Sequence, residues 1–342
     1  MAENNHILEV KNLRVSYHTY AGEVKAVRGV SFELETGKAL AIVGESGCGK
    51  SVTAKSIMGL IKKPQGEIKE GSEILYNNVN ILNYNKKQWQ AYKGGECAII
   101  FQDALAALNP TMRVGKQIME NLMAHKHMKK DEAKKEAVEM LRRVGIPEPE
   151  KRVKQYPHQF SGGMRQRVMI AIAFACDPKL LICDEPTTAL DVTIQSQILD
   201  IIKELQKKHN TSVIMITHDL GVVANIAQEI AVMYSGIIVE RGICEDIFYR
   251  PRHPYTWALI ESVPRLDLTN KQELASIPGI PPDLLNPPAG CPFCTRCKYC
   301  MPICKEQMPE YTDFGNGHIA ACWLHHPMAP KVEMPDKEGG AK

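Results

Sequence analysis

The chain has 342 residues, of which 44% are hydrophobic and 24% charged, an ordinary composition for a packed protein with room for one large domain and a smaller one. With 42 Lys and Arg against 39 Asp and Glu, the formal net charge is +3 and neither end carries a long basic run, which argues against nucleic acid as the main partner. No apolar run approaches the roughly 18–20 residues that span a bilayer, and the start MAENNHILEV lacks a basic-then-apolar layout, so a cytosolic compartment is expected.

From the N-terminus to about residue 250, short β-branched runs alternate with helical stretches, the pattern of an α/β domain. Residues 40–43 (LAIV), 180–183 (LLIC) and 213–216 (VIMI) read as strands buried on both faces of a parallel sheet. Each run ends in a polar set, GESG, DE or THD, and functional groups of open α/β sheets gather at such carboxyl ends.

The first run leads into Gly44-Glu45-Ser46-Gly47-Cys48-Gly49-Lys50-Ser51 and a predicted helix over 50–61. This fits G-x-x-x-x-G-K-[ST]: glycines let successive N–H groups turn toward phosphate oxygens, and the helix start adds partial positive charge. Lys50 is placed to reach the β- and γ-phosphates of ATP and the Ser51 hydroxyl to ligate Mg²⁺; Val52 closes the candidate set.

A more helical insertion follows. It carries Gln102 in FQD, the segment 103–115 (DALAALNPTMRVG) and a predicted helix over 131–144 that Gly145 and Pro147 end. Next comes Phe160-Ser161-Gly162-Gly163-Met164-Arg165-Gln166, about 20 residues ahead of an acidic pair; Ser-Gly-Gly at a helix start reads as a second anion-binding nest. Asp184 and Glu185, after the second buried run, are candidates for holding Mg²⁺ and polarising an attacking water. Ala189-Leu190-Asp191 and His218 follow in order.

After His253 the chain turns Pro-rich and then Cys-rich. Six of eleven cysteines fall between Cys291 and Cys322, which in a reducing compartment predicts a metal site rather than disulfides. Two registers are open. Cys294, Cys297, Cys300 and Cys304 copy a ferredoxin spacing, but Lys305 stands where that run has Pro. The other register is the one that a family resemblance, taken up below, implies; it leaves Cys294 and Cys300 as extra thiols or as ligands in an alternative cluster. Zinc in a Cys₄ site is the rival to iron.

The FSGGMRQ segment resembles the ABC-transporter ATPase signature, usually LSGGQ, with Met164 in place of the usual Gln. The resemblance covers about residues 7–250 and implies a P-loop NTPase with a RecA-like parallel sheet core, antiparallel β and helical subdomains, and a small irregular Cys-rich extension. It divides the chain into a nucleotide-binding domain (1–250), an extension (251–334) and a disordered tail (335–342). It further implies that Gln102 senses Mg²⁺ and water, His218 contacts the γ-phosphate, and Tyr17 stacks on adenine, with Tyr20 a competitor. ATP would lie between residues 44–51 of one subunit and Ser161, Gly162 and Gly163 of another.

His253-Pro254-Tyr255-Thr256, SIPGIPP (276–282) and Gly290-Cys291-Pro292-Phe293 are similar to the extension on oligopeptide and dipeptide importer ATPases, and FSGGMRQR with SIPGIPP to their D-type subunit. That branch implies a [4Fe–4S] cluster on Cys291, Cys297, Cys304 and Cys322. It also implies a second, related ATPase subunit in a heterodimer, two polytopic permease subunits that dock on residues 103–115, an extracytoplasmic solute-binding protein, and a peripheral place at the cytoplasmic membrane face. Nickel importers share the branch. A soluble ABC protein acting on nucleic acid fits less well, because those carry paired cassettes or long coiled coils, and retention of Glu185 speaks against a purely regulatory ATP-binding module.

Overall fold

The three apolar runs form strands whose every residue is buried, Ala39–Val43, Leu180–Asp184 and Ser212–Thr217, each slightly longer than its predicted core. The structure is a computed structural model and describes residues 5–188, 190–262 and 277–333. Ala189, Ser276 and the tail 335–342 therefore lie outside the described residues. The chain folds as two compact units, each assembled from three stretches: residues 1–9, 33–39 and 75–216 in one, and 10–32, 40–74 and 217–342 in the other.

In the first unit, Cys97–Ile100, Leu180–Asp184 and Ser212–Thr217 lie parallel, with Cys97 opposite Leu180 and Leu180 opposite Ser212. Their flanking helices read directly from the sequence. Lys130–Arg143 buries Ala133, Ala137, Met140 and Leu141 on one stripe; Asp131 and Glu132 sit in its first turn and Arg142 and Arg143 in its last, matching the helix dipole. Gly145, at φ 71°, ends it as expected. Asp191 caps Val192–His209, its side chain accepting from Ile194 N at 2.9 Å, and that helix buries Ile198, Leu199, Ile202 and Leu205.

In the second unit, Ala39–Val43 runs parallel to Glu229–Tyr234, which turns back into Ile237–Ile243. The hairpin Tyr311–Asp313 and Ile319–Ala321 then adds to Ile237–Ile243, with Ala320 opposite Glu240. Nothing in the Pro- and Cys-rich sequence announces these strands, and an irregular segment without a core was the expectation. Instead Tyr255, Leu259, Phe293, Cys291 and Cys304 pack into one apolar cluster with Val43, Ile230, Val232 and Val239. These extension residues are stabilised by burial against Val43, about two hundred residues earlier in the chain, and against the strands just before them. Fully buried Glu240 fastens this region: its carboxylate accepts from Arg252 N at 2.6 Å and His253 N at 2.9 Å, and His318 Nε2 lies at 2.8 Å. Among the described residues, no helix is long and apolar enough to cross a membrane.

Candidate functional site

In the second unit the loop 44–51 joins the buried strand Ala39–Val43 to the helix Lys50–Ile57, four residues shorter than the predicted 50–61. Two glycines are sterically required. A Cβ on Gly44 (φ 151°) would lie 2.1 Å from Met233 O, and one on Gly49 (φ 104°) 2.4 Å from Ala26 O. Gly236 N donates to Cys48 O at 2.9 Å, so the loop is braced from the neighbouring strand turn. Lys50, only 4% exposed, sends Nζ inward to Gly44 O (2.7 Å) and Glu45 O (3.0 Å), which fixes an ammonium within the curl of the loop. Ser46 and Gly47 are exposed beside it, and Ser51 and Val52 occupy the first helical turn. A tight glycine loop at a helix start with one buried cation is suited to hold an anion.

The same unit holds Tyr17, opposite Gly66 across a strand pair, where a Cβ on Gly66 would stand 3.0 Å from the Tyr17 ring. Burial raises the Tyr17 hydroxyl pKa above its usual value. Tyr20, by contrast, is fully exposed at 114%. His218 follows Thr217 on the surface of this unit, and Asp219 caps the next helix, Leu220–Ile226.

The first unit gathers the acidic residues. Asp184, 6% exposed, ends the buried strand Leu180–Asp184. Glu185 leaves that strand in the left-handed region at φ 49°, a conformation costly for a residue with a Cβ and held here by its N–H donating to Ile216 O at 2.9 Å. Its carboxylate accepts from Gln102 Nε2 at 3.1 Å and from Thr188 Oγ1 at 3.0 Å. Gln102 follows the strand Cys97–Ile100, so two parallel strands deliver the amide and the carboxylate to one point. Ser161 caps the helix Gly162–Phe174, its Oγ accepting from Met164 N at 3.3 Å, and a Cβ on Gly162 would meet nothing within 4 Å. A Cβ on Gly163 would crowd Ile194 at 2.9 Å. Sequence reasoning overlooked two partners here: Thr188, and Gln166, which is 3% exposed and donates to Pro186 O at 2.6 Å. A buried polar residue in an apolar helix was the available signal for Gln166.

Residues 27–188 match the family model described as "ABC transporter", and residues 239–304 match "Oligopeptide/dipeptide transporter, C-terminal region". The chain is 58% identical to the oligopeptide transport ATP-binding protein OppD of Bacillus subtilis (strain 168), over 96% of this chain and 92% of that protein. It is 55% identical to the dipeptide transport ATP-binding protein DppD of Lactococcus lactis subsp. cremoris (strain MG1363), over 98% and 95%. The chain belongs to the oligopeptide/dipeptide family of ABC transporter ATP-binding subunits. Its fold is similar to that of the ATP-binding cassette MJ0796, solved as a dimer in a post-hydrolysis state bound to ADP and Pi: TM-score 0.62, 25% identity, 69% of this chain and 98% of that one.

The six clustered cysteines line one small cavity, together with His253, Phe293 and Trp323. Here one expectation needs correction. Cys294 and Cys300 are joined as a disulfide, with Cα atoms 5.2 Å apart, whereas six reduced thiols were expected. Two residues six apart, on a 3₁₀ turn and the bend after it, fall within the range a disulfide can bridge. Cys291, Cys297, Cys304 and Cys322 remain free thiols. Burial, more than mutual repulsion, pushes the Cys291 thiol up to about 11 and the Cys322 thiol up to about 12, so without a cation these sulfurs stay protonated. His253 Nδ1 accepts from Tyr255 N at 3.0 Å, which leaves the proton of the neutral ring on Nε2; that atom is buried and has no hydrogen-bond partner. Among the described residues, no group of three or more His, Cys, Asp or Glu side chains is arranged to hold a metal ion. The four free thiols and the unpartnered His253 N–H nonetheless share one cavity, and sulfur is the donor that soft metals take.

Proposed function

We propose that this chain is the ATP-hydrolysing subunit of an ABC importer for di- or oligopeptides. The observation that carries the enzymatic part is the Glu185 carboxylate, held between Gln102 and Thr188 at the end of a buried strand as a general base must be. On this reading residues 44–52 cradle the ATP phosphates, Tyr17 stacks on adenine, and Ser51, Asp184 and Gln102 serve Mg²⁺. His218 contacts the γ-phosphate. Ser161, Gly162 and Gly163 face the nucleotide of a second, related ATPase subunit, and the open space over Gly162 supports this role. Residues 1–250 constitute the nucleotide-binding domain and 251–334 the family extension. The subunit sits peripherally at the cytoplasmic membrane face, with two permease subunits and an extracytoplasmic binding protein completing the importer. Purifying it with its co-encoded membrane subunits and screening solutes for stimulation of ATP turnover tests the substrate. Stimulation by short peptides is expected; stimulation by nickel alone would reassign the solute.

The segment after Gln102 is the proposed permease dock. Asp103 caps the short helix Ala104–Ala107, Leu105 stands 54% exposed, and Gln117 pins Asn109 and Met112 through hydrogen bonds of 2.9–3.0 Å. An exposed leucine on a rigidly held loop suits a docking surface. Replacing exposed Pro110 with Glu is expected to abolish peptide uptake while ATP turnover of the isolated chain stays within about twofold of wild type. Normal uptake by that variant would remove the dock from this loop.

Cys291, Cys297, Cys304 and Cys322 are the proposed ligands of a [4Fe–4S] cluster, supported by their shared cavity and by the orphaned His253 N–H. Such a group would supply a covalent cross-link between turns of the extension. Anaerobically purified protein is then expected to be brown, with absorbance that bleaches on reduction and disappears in Cys322→Ser. Colourless protein carrying stoichiometric zinc would decide for the rival metal.

A further inference from the structure

The extension also bears on the phosphate loop, through a contact that neither the loop motif nor the cysteine cluster accounts for. Arg296, between Cys294 and Cys297, has a side chain only 3% exposed. Its guanidinium has five N–H bonds, and five acceptors surround it. Nη1 donates to Glu45 Oε2 (2.5 Å) and Tyr234 OH (3.2 Å), Nη2 to Glu45 Oε1 (2.9 Å) and Ile277 O (3.1 Å), and Nε to Pro278 O (2.9 Å). The pair with Glu45 is thus a two-pronged fork, the strongest geometry available to these groups. Hydrogen bonds to Glu45, then to Tyr234, hold the guanidinium above its ordinary pKa.

Glu45 is the second residue of the phosphate loop, and the extension grips it twice. Its carboxylate takes the Arg296 fork, and its N–H donates to Tyr255 OH at 2.9 Å. Tyr255 from HPYT and Arg296 from the cysteine run therefore both bond Glu45, and Ile277 and Pro278 of SIPGIPP hold Arg296 in place through their carbonyls. We infer that Arg296 is a positioning residue of the nucleotide site: it neutralises and aims Glu45 so that the loop can accept a polyanion. The reason is electrostatic. A carboxylate one residue from the glycine that opens a phosphate cradle opposes phosphate binding unless a cation is paired with it, and this carboxylate is 27% exposed. The inference rests on the reading of residues 44–51 as an ATP phosphate loop.

The test is a mutant cycle on the full-length chain, with Mg·ATP affinity as the readout. Arg296→Met leaves Glu45 charged and unpaired, and is expected to weaken binding about 10-fold; Glu45→Gln removes the charge and is expected to cost about threefold or less. The double variant should bind as Glu45→Gln does, because deleting the offending charge rescues the loss of its partner. A merely structural role for Arg296 gives no such rescue: the double variant would then bind as weakly as Arg296→Met or worse, and the inference fails. Wild-type affinity in Arg296→Met also overturns it. Lys50→Ala separates the two readings. If that variant binds Mg·ATP normally, the phosphate-loop assignment itself is wrong; if it does not bind while Arg296→Met binds as wild type, only the positioning role is lost.

Discussion

Glu185→Gln is expected to bind Mg·ATP and to turn it over about 10²–10⁴-fold more slowly than wild type, the usual contribution of a positioned general base. The substitution keeps the shape of the side chain. Its amide oxygen can still accept from Gln102 Nε2 and Thr188 Oγ1, which the carboxylate does now at 3.1 and 3.0 Å, so the left-handed backbone at residue 185 need not move. What vanishes is the ability to take a proton from water. ATP should therefore remain bound, and in the presence of its partner subunit the variant should accumulate as a nucleotide-sandwiched dimer, visible as a shift in size-exclusion elution that Mg·ADP does not produce. Single-turnover kinetics locate the loss in the chemical step rather than in binding. Wild-type turnover would take Glu185 out of the reaction altogether.

Lys50→Ala is expected to fail one step earlier. The ammonium is buried and held over the loop by Gly44 O and Glu45 O, ready to meet phosphate oxygens. A hydrogen bond to a charged group contributes about 1.5–3 kcal/mol, and a bidentate contact to two phosphates correspondingly more. At about 1.4 kcal/mol per tenfold, nucleotide affinity should fall roughly 100-fold. Equilibrium binding of a fluorescent ATP analogue measures this directly. Turnover at saturating ATP should also fall, because the lost charge faces the oxygens on which negative charge develops. The contrast with Glu185→Gln is diagnostic: one variant holds ATP without cleaving it, and the other releases it.

Much of this was legible in the residues, for identifiable reasons. LAIV, LLIC and VIMI read as strands buried on both faces, and the fold puts them there, fully buried. The helix at 131–144 was misplaced by one residue, since amphipathic spacing marks the face of a helix better than its ends. The loop 44–51 declares itself through glycines that nothing larger could replace. The far end of the chain was harder. The strand Tyr311–Asp313 has only three residues and gains its order from pairing with Ile319–Ala321, a tertiary fact that local patterning does not encode. Arg296 stands between two cysteines with no local pattern around it; its partner Glu45 is 251 positions away, and no window reaches that far. The cysteines were read by compartment and spacing, which do not reveal that Cys294 and Cys300 lie within reach of each other.

The way the units are assembled from the chain has a consequence for how it matures. Each combines stretches from well-separated parts of the polypeptide, and the second draws its last contributions from the hairpin at 311–321 and from His318 against Glu240. A ribosome delivers about 5–20 residues per second and always the amino end first, so Ala39–Val43 waits many seconds for neighbours that are not yet synthesised. Contacts of such long reach close slowly. The nascent protein thus passes through a period in which this apolar strand waits for the partners, from Glu229 onward, that will cover it.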